Sequence, residues 1–359
     1  MRGETVYFYA FDVANEIATH AVVAFTAGET IPFELRTDHT VPKDVPLYQP
    51  LTLALTSRKP RCGGCDVRVV IRVYEVGVIN VVMRVPFDVP ELGSLHPHHR
   101  PRLESGETFD EFAHDLCREV IESLGDAIIR GSEPTQPEAY TVFCVTDLGG
   151  NRDVNAWFAL HRRKVAGLLT ETPPQRLSDQ QVEESLRICR SFSDADLVVM
   201  DWDSSLVVEL DGYAEDVLYV LELANLQLEE FRVMDRRLDS HLERAYRDLE
   251  RRRSAIFGAP TSMLKWLRRF RFDVTKLADE VSHITKFFGD WHMARVYLGA
   301  SERFHLGQWQ QSIEKRLSQL DQVYQLIQSD IYERRMLWLE VAIVVLFIVD
   351  LVALFFWKA

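Results

Sequence analysis

"VRVVIRVYEVGVINVVMRVPF", residues 67–87, is a run of β-branched and other apolar residues interrupted at Gly77. Such residues suit a pleated, half-buried surface, and the glycine marks a turn or bulge. The stretch predicts strands, and around them an amino-terminal region built on a sheet. "TVYFYAF" (5–11) and "AYTVFCVTDL" (139–148) repeat the pattern, and "DLVVMD" and "SLVVEL" flanking "WDS" predict a hairpin over 196–210. Two helices interrupt these strands. Thr108 with Glu111 forms a capping box, after which Phe109, Phe112, Leu116, Val120, Leu124 and Ile128 recur at helical spacing. Ser178 with Gln181 opens a shorter helix over 179–192, while 131–138 and 170–175 read as loops. The expectation is an α+β domain with a mixed β-sheet over residues 1–213.

From Glu215 the apolar period becomes helical. Leu221, Ala224, Leu228, Phe231, Leu238, Leu242, Ala245 and Leu249 form a seam that only Asp235 breaks, predicting a long coiled-coil-like helix over about 215–253. A second helix over 274–298 carries Val274, Leu277, Val281, Ile284, Phe288, Trp291 and Leu298 on one stripe. A third, over 303–336, carries Ile313, Leu317, Leu320, Tyr324, Ile327 and Ile331 with no breaker before the apolar tail. Residues 214–336 are therefore expected to form a helical stalk or bundle.

Residues 337–357 are predicted to be a single transmembrane helix. Fifteen of these 21 residues are Leu, Ile, Val or Phe. At roughly −0.3 to −0.6 kcal/mol each they outweigh the roughly +2.5 to +3.5 kcal/mol of a central Asp. Arg334 and Arg335 precede the segment and only Lys358 follows it, so the bulk of the chain is expected on the side of synthesis. Asp350 inside the span, and Glu340 near its entry, are expected to face another copy's helix as oligomer contacts. Between the first two helices, an amphipathic basic segment (261–272) places Met263, Trp266, Leu267 and Phe270 on one face and Lys265, Arg268 and Arg269 elsewhere. Trp266, Arg268, Arg269, Phe270 and Arg271, with Arg334 and Arg335, are the expected membrane-interface residues.

The net charge is −13, and residues 1–213 hold 20 Lys and Arg against 33 Asp and Glu. That acidity argues against DNA or broad nucleic-acid binding there. The start contains Glu4 and Asp12 and no apolar core behind a basic region, so no secretory signal or transit peptide is expected. Five cysteines form no regular framework, which suggests a reducing compartment. Cys62 and Cys65 in "CGGC" could be half a zinc site or a redox pair. With no second Cys-x-x-Cys, a glycine turn is preferred, and "HPHH" (His96, His98, His99) reads as a solvated loop. Asp201 and Asp203 suit a hairpin turn better than a cation pair. No nucleophile elbow, phosphate-binding loop or metalloprotease motif occurs, so neither enzyme nor cofactor is expected.

The carboxyl-terminal third, from "FFGDWHMARVYLG" through "RRMLWLEVAIVVLFIVDLV", resembles the end of the "required for meiotic nuclear division" family. The matching positions are Arg334, Arg335, Leu339, Glu340 and Asp350, and "LELANLQLEEFRVMDRRLD" is similar to the segment before them. The resemblance implies a non-enzymatic, self-associating membrane protein. Its mitochondrial members support translation, which would make the ribosome a candidate partner. The missing targeting segment suggests a bacterial member in the inner membrane with its bulk cytoplasmic, or a mitochondrial inner-membrane protein if the source is eukaryotic. The expected function is thus a tail-anchored homo-oligomeric scaffold recruiting a protein partner. The alternative is an oligomeric ion channel or transport component with Asp350 in its span.

Overall fold

The computed structural model describes residues 1–21, 28–33, 49–251, 268–279 and 291–357. Contacts divide the chain into two compact units, Met1–Arg232 with Val281–Gly307, and Val233–Glu280 with Gln308–Ala359.

In the first unit, nine strands among the described residues form one mixed sheet in the order β11-β12-β13-β10-β1-β8-β7-β4-β3. They are β1 (Arg2–Asp12), β3 (Gly28–Ile31), β4 (Leu51–Leu55), β7 (Arg68–Val73), β8 (Val78–Asp88), β10 (Glu138–Asp147), β11 (Ile188–Arg190), β12 (Asp196–Met200) and β13 (Ser204–Glu209). Two short pairs stand apart from it, β2 (Glu16–Ile17) with β9 (Ile128–Ile129), and β5 (Arg61–Cys62) with β6 (Cys65–Asp66). Gly77 (φ 93°) makes the turn between β7 and β8, where an added Cβ would collide with the carbonyl of Ala14. Neighbours in the large sheet are antiparallel except β10 and β13. A parallel pair needs a crossover, and here it runs through α2 (Val154–Leu169) and α3 (Asp179–Ser185).

Side chains alternate across the strands. Tyr7, Tyr9 and Phe11 of β1, with Ile71 and Val73 of β7 and Val81 and Met83 of β8, pack on α1 (Phe109–Leu124) through Phe109, Phe112, Leu116 and Val120. Phe143, Val145, Leu197, Val199, Leu206 and Val208 meet α2 through Trp157, Phe158, Val165 and Leu169. The capping box of α1 forms both ways: Thr108 Oγ1 accepts from the Glu111 amide (3.2 Å), and Glu111 accepts from the Thr108 amide (2.8 Å).

Two expectations in this region change. The helix read over 179–192 ends at Ser185, and Ile188–Arg190 is instead the edge strand β11, pairing antiparallel with β12. Burying Ile188 against the sheet outweighs the local helical pattern. Helix α2 was not anticipated, although Asp153 caps it by accepting from the Ala156 amide (2.8 Å).

The remaining helices are α4 (Ala214–Arg251), α5 (268–279), α6 (Trp291–Arg303) and α7 (Leu306–Trp357). The third predicted helix does continue unbroken into the tail as α7. The transmembrane reading of residues 337–357 is overturned: among the described residues no helix is long and apolar enough to cross a membrane. The single-pass, tail-anchored organisation and the in-membrane role of Asp350 fall with it. Two carboxylates, Glu340 and Asp350, interrupt the apolar run. The charge-free stretch between them, Val341–Val349, spans only about 13 Å at ~1.5 Å per residue, against a hydrocarbon core of about 30 Å.

Candidate functional site

Two features stand out, an exposed apolar tract on α7 and a buried polar layer in the first unit. In the second unit, α7 begins as an ordinary amphipathic helix. Ile313, Leu317, Leu320 and Val323 are buried at gaps of four and three. Asp235, the residue that broke the α4 seam, faces Arg316 (3.2 Å), which also pairs with Asp239. Further along α7 this one-sidedness ends. Met336, Leu337, Trp338, Leu339, Val341 and the run Ile343–Val349 are all more than half exposed, on every side of the helix. An apolar stripe would need one neighbour; a helix apolar all round has to be surrounded. Glu340 and Asp350 lie exposed in this tract.

The residues expected at a membrane interface fall on α5, on α7 and outside the described residues. Trp266 lies outside the described residues, as does the amphipathic basic segment up to residue 267. On α5, Arg268 and Arg269 are exposed, Phe270 is buried (4 % exposed), and Arg271 pairs with Asp321. Arg334 and Arg335 fall within the backbone of α7.

The second feature covers the sheet face opposite α1 and α2. Here the first half of α4, together with α6, lays polar side chains on polar side chains. Glu222, fully buried on α4, accepts from Arg72 of β7 and from the Tyr74 hydroxyl (2.7 Å). Arg72 also lies over the Phe33 ring (5.3 Å), and its Nε has no hydrogen-bond partner among the described residues. Burial works against the Arg72 charge, but Glu222 beside it holds the guanidinium above the usual arginine range. Burial and Glu222 together push the Tyr74 hydroxyl well above its ordinary value. One strand over, Arg84 of β8 bonds Glu4 (3.0 Å) and grips Glu215 of α4 with both terminal nitrogens (2.7 Å through Nη2). Burial disfavours the Glu215 carboxylate, yet the Arg84 bonds outweigh it and keep the group below the usual glutamate range. Asn225 donates to the Glu138 carbonyl (3.2 Å), and Arg232 pairs with the Glu138 carboxylate.

On α6, Arg303 bonds Glu184 (3.0 Å) and pairs with Asp201, so Asp201 is an ion-pair partner as well as a hairpin residue. Asn80, wholly buried between Ala10 and Arg72 in the strand register, has neither amide atom partnered among the described residues. This layer joins helices to sheet by directional bonds.

His98 and His99 are built in rather than solvated. His98 Nδ1 bonds Thr5 Oγ1 (2.9 Å), the Tyr7 hydroxyl donates to the His98 carbonyl (2.6 Å), and His99 Nε2 bonds the Leu168 carbonyl (2.7 Å). Burial lowers both imidazoles below the usual histidine range. Among the described residues no group of three or more His, Cys, Asp or Glu is placed to hold a metal ion.

The architecture defines an α+β protein whose mixed sheet carries α1 and α2 on one face and α4 and α6 on the other. Residues 2–215, most of that sheet unit, match the family described as "Uncharacterized protein MJ0711, N-terminal domain", and the chain belongs to that family. It is similar to "Uncharacterized protein MJ0711" of Methanocaldococcus jannaschii, 21 % identical over 215 residues. That match covers 60 % of this chain and 65 % of the relative, so the chain spans a little under two thirds of the relative's length. No solved structure matches the chain.

Proposed function

We propose that this chain is a non-enzymatic, self-associating scaffold. The apolar tract of α7 joins copies of the chain, and each copy presents its α+β unit to a protein partner. The observation that carries this reading is the all-round exposure of apolar side chains from Met336 to Val349. A contiguous patch of this kind marks an association surface. The preceding seam of Ile313, Leu317 and Leu320 already follows the four-and-three spacing by which helices pack on one another. A second copy supplies the same tract, and self-complementary contacts are the commonest route to oligomers. The resemblance of the carboxyl-terminal third to the "required for meiotic nuclear division" family lies outside the residues matched at the amino-terminal end. It directs the search for a partner to the translation machinery first.

Sedimentation velocity of the full chain over a concentration series tests the reading. Dimers or larger species should appear with rising concentration. Ile343→Glu with Phe347→Glu, one turn apart on one face, should weaken association at least about tenfold, because each buried carboxylate costs on the order of 1–3 kcal/mol or more. Asp350→Leu should tighten it severalfold by removing a charge that association has to desolvate. A monomer at every concentration overturns the proposal.

A further inference from the structure

The hairpin β5–β6 presents two thiols that the scaffold reading does not use; Cys62 is partly buried against the core of the sheet. Cys62 and Cys65 are direct partners in the antiparallel register, with Gly63 and Gly64 as the two-residue turn between them. Both glycines have positive φ, 58° and 82°, the requirement of a type I′ turn, whose twist matches that of its strands. The pair closing such a turn is a hydrogen-bonded one, with Cα atoms about 5.5 Å apart. That falls inside the ~4.4–6.8 Å window of a disulfide and near its most frequent value. Both cysteines are free and partly exposed.

The hairpin is held in this form from outside. Arg61 donates to the Gly64 carbonyl (2.8 Å), the Gly64 amide donates to Glu104 (3.1 Å), and the Glu104 amide donates to the Arg61 carbonyl (2.8 Å). At the base of the hairpin, the Val67 amide donates to the Pro60 carbonyl (2.9 Å). Closing a bond between the two sulfurs therefore requires rotation of the side chains and a small approach of the two Cβ atoms, from about 5 Å to about 4 Å. The other three cysteines differ: Cys117 and Cys144 are buried, and Cys189 lies in the edge strand β11, away from the hairpin.

We infer that Cys62 and Cys65 form a reversible dithiol–disulfide site that exchanges electrons with low-molecular-weight disulfides. One cysteine, as thiolate, attacks a sulfur of the small disulfide. That S–S bond breaks, a mixed disulfide forms, and one small thiolate leaves. The second cysteine, deprotonated, attacks the protein sulfur of the mixed disulfide and expels the second small thiolate. Two protein thiols have then lost two protons and two electrons, and the small disulfide has been reduced to two thiols. Burial, with Cys65 beside it, pushes the Cys62 thiol up, so exchange through Cys62 speeds up as pH rises.

The test equilibrates the full chain in a stepped series of reduced and oxidised glutathione, blocks free thiols with iodoacetamide, and maps the peptides by mass spectrometry. The 61–68 region should pass from doubly alkylated to an unalkylated internal disulfide, two hydrogens lighter than the free dithiol, in one two-electron transition, while Cys189 remains alkylated across the same range. Cys65→Ser should stop at a single glutathione adduct on Cys62, and Cys62→Ser at one on Cys65. Alkylation of both thiols throughout the series overturns the inference. So does oxidation of Cys189 over the same range, or protection of both thiols by added zinc without a disulfide.

Discussion

Glu222 offers the sharpest test of the buried polar layer. The side chain is fully buried and accepts from two groups, the Arg72 guanidinium and the Tyr74 hydroxyl. Glu222→Leu strands both at once. Arginine cannot shed its proton inside a protein, so the charge stays buried without its partner. Removing one member of a buried pair costs about 3–5 kcal/mol, and an orphaned hydroxyl adds to that. For a unit of this size that corresponds to a fall of about 6–10 °C in Tm. Arg72→Met should cost less, because Glu222 keeps its bond from Tyr74. The double variant Arg72→Met/Glu222→Leu removes both charges and should recover to within about 1–2 kcal/mol of the parent, a coupling of roughly 3 kcal/mol or more. Native-state hydrogen exchange, read on peptides of β1, β7 and β8, reports on the unit that holds the pair. Equal costs for the two single variants, or additive costs in the double, would refute the reasoning.

Asn80→Leu, nearly the same shape, should stabilise the first unit by about 1–3 kcal/mol, since neither amide atom has a partner among the described residues; a loss in urea midpoint would contradict this. His98 and His99 have pKa values lowered by burial, so the unfolded chain binds protons that the folded chain refuses. Their stabilising contribution is intact above the unfolded pKa of about 6.5 and is lost as pH falls below it towards the lower folded values. Between about pH 7.5 and pH 5.5 the urea midpoint should therefore drop, and His98→Gln/His99→Gln should flatten that slope; an unchanged slope would count against the assignment.

Much of the sheet was legible because its strands announce themselves. The turn at Gly77, the 196–210 hairpin and the Thr108–Glu111 box depend on local chemistry that a short window contains. The polar layer did not show itself, for a reason visible in β8. Asn80 and Arg84 alternate with the core residues Ile79, Val81, Met83 and Val85, as on a solvent-facing side. The distinguishing signal was that Val78 and Val82 share that face and are fully buried. On α4 the seam of Leu221, Ala224, Leu228 and Phe231 identified one buried face, yet Glu222, Asn225, Gln227 and Glu229 are buried as well. A polar residue facing water and one facing a polar partner look alike until the partner is placed. The tail misled in the opposite sense. Summing favourable residues over 337–357 took no account of how Glu340 and Asp350 divide the apolar run.

The place of β1 in the sheet has a consequence for synthesis. Its neighbours are β8, where Arg2 pairs with Asp88, and β10, where Arg2 pairs with Asp147. At roughly 5–20 residues per second, on the order of 145 residues must follow before the second neighbour is complete, a delay of about 7–30 s. Throughout it "TVYFYAF" has at least one edge without its partner and apolar side chains on both faces, the sort of edge that recruits other chains. The interior of the sheet is thus the part of the nascent chain most exposed to misassembly, and the demand for a chaperone falls on residues that the finished fold conceals completely.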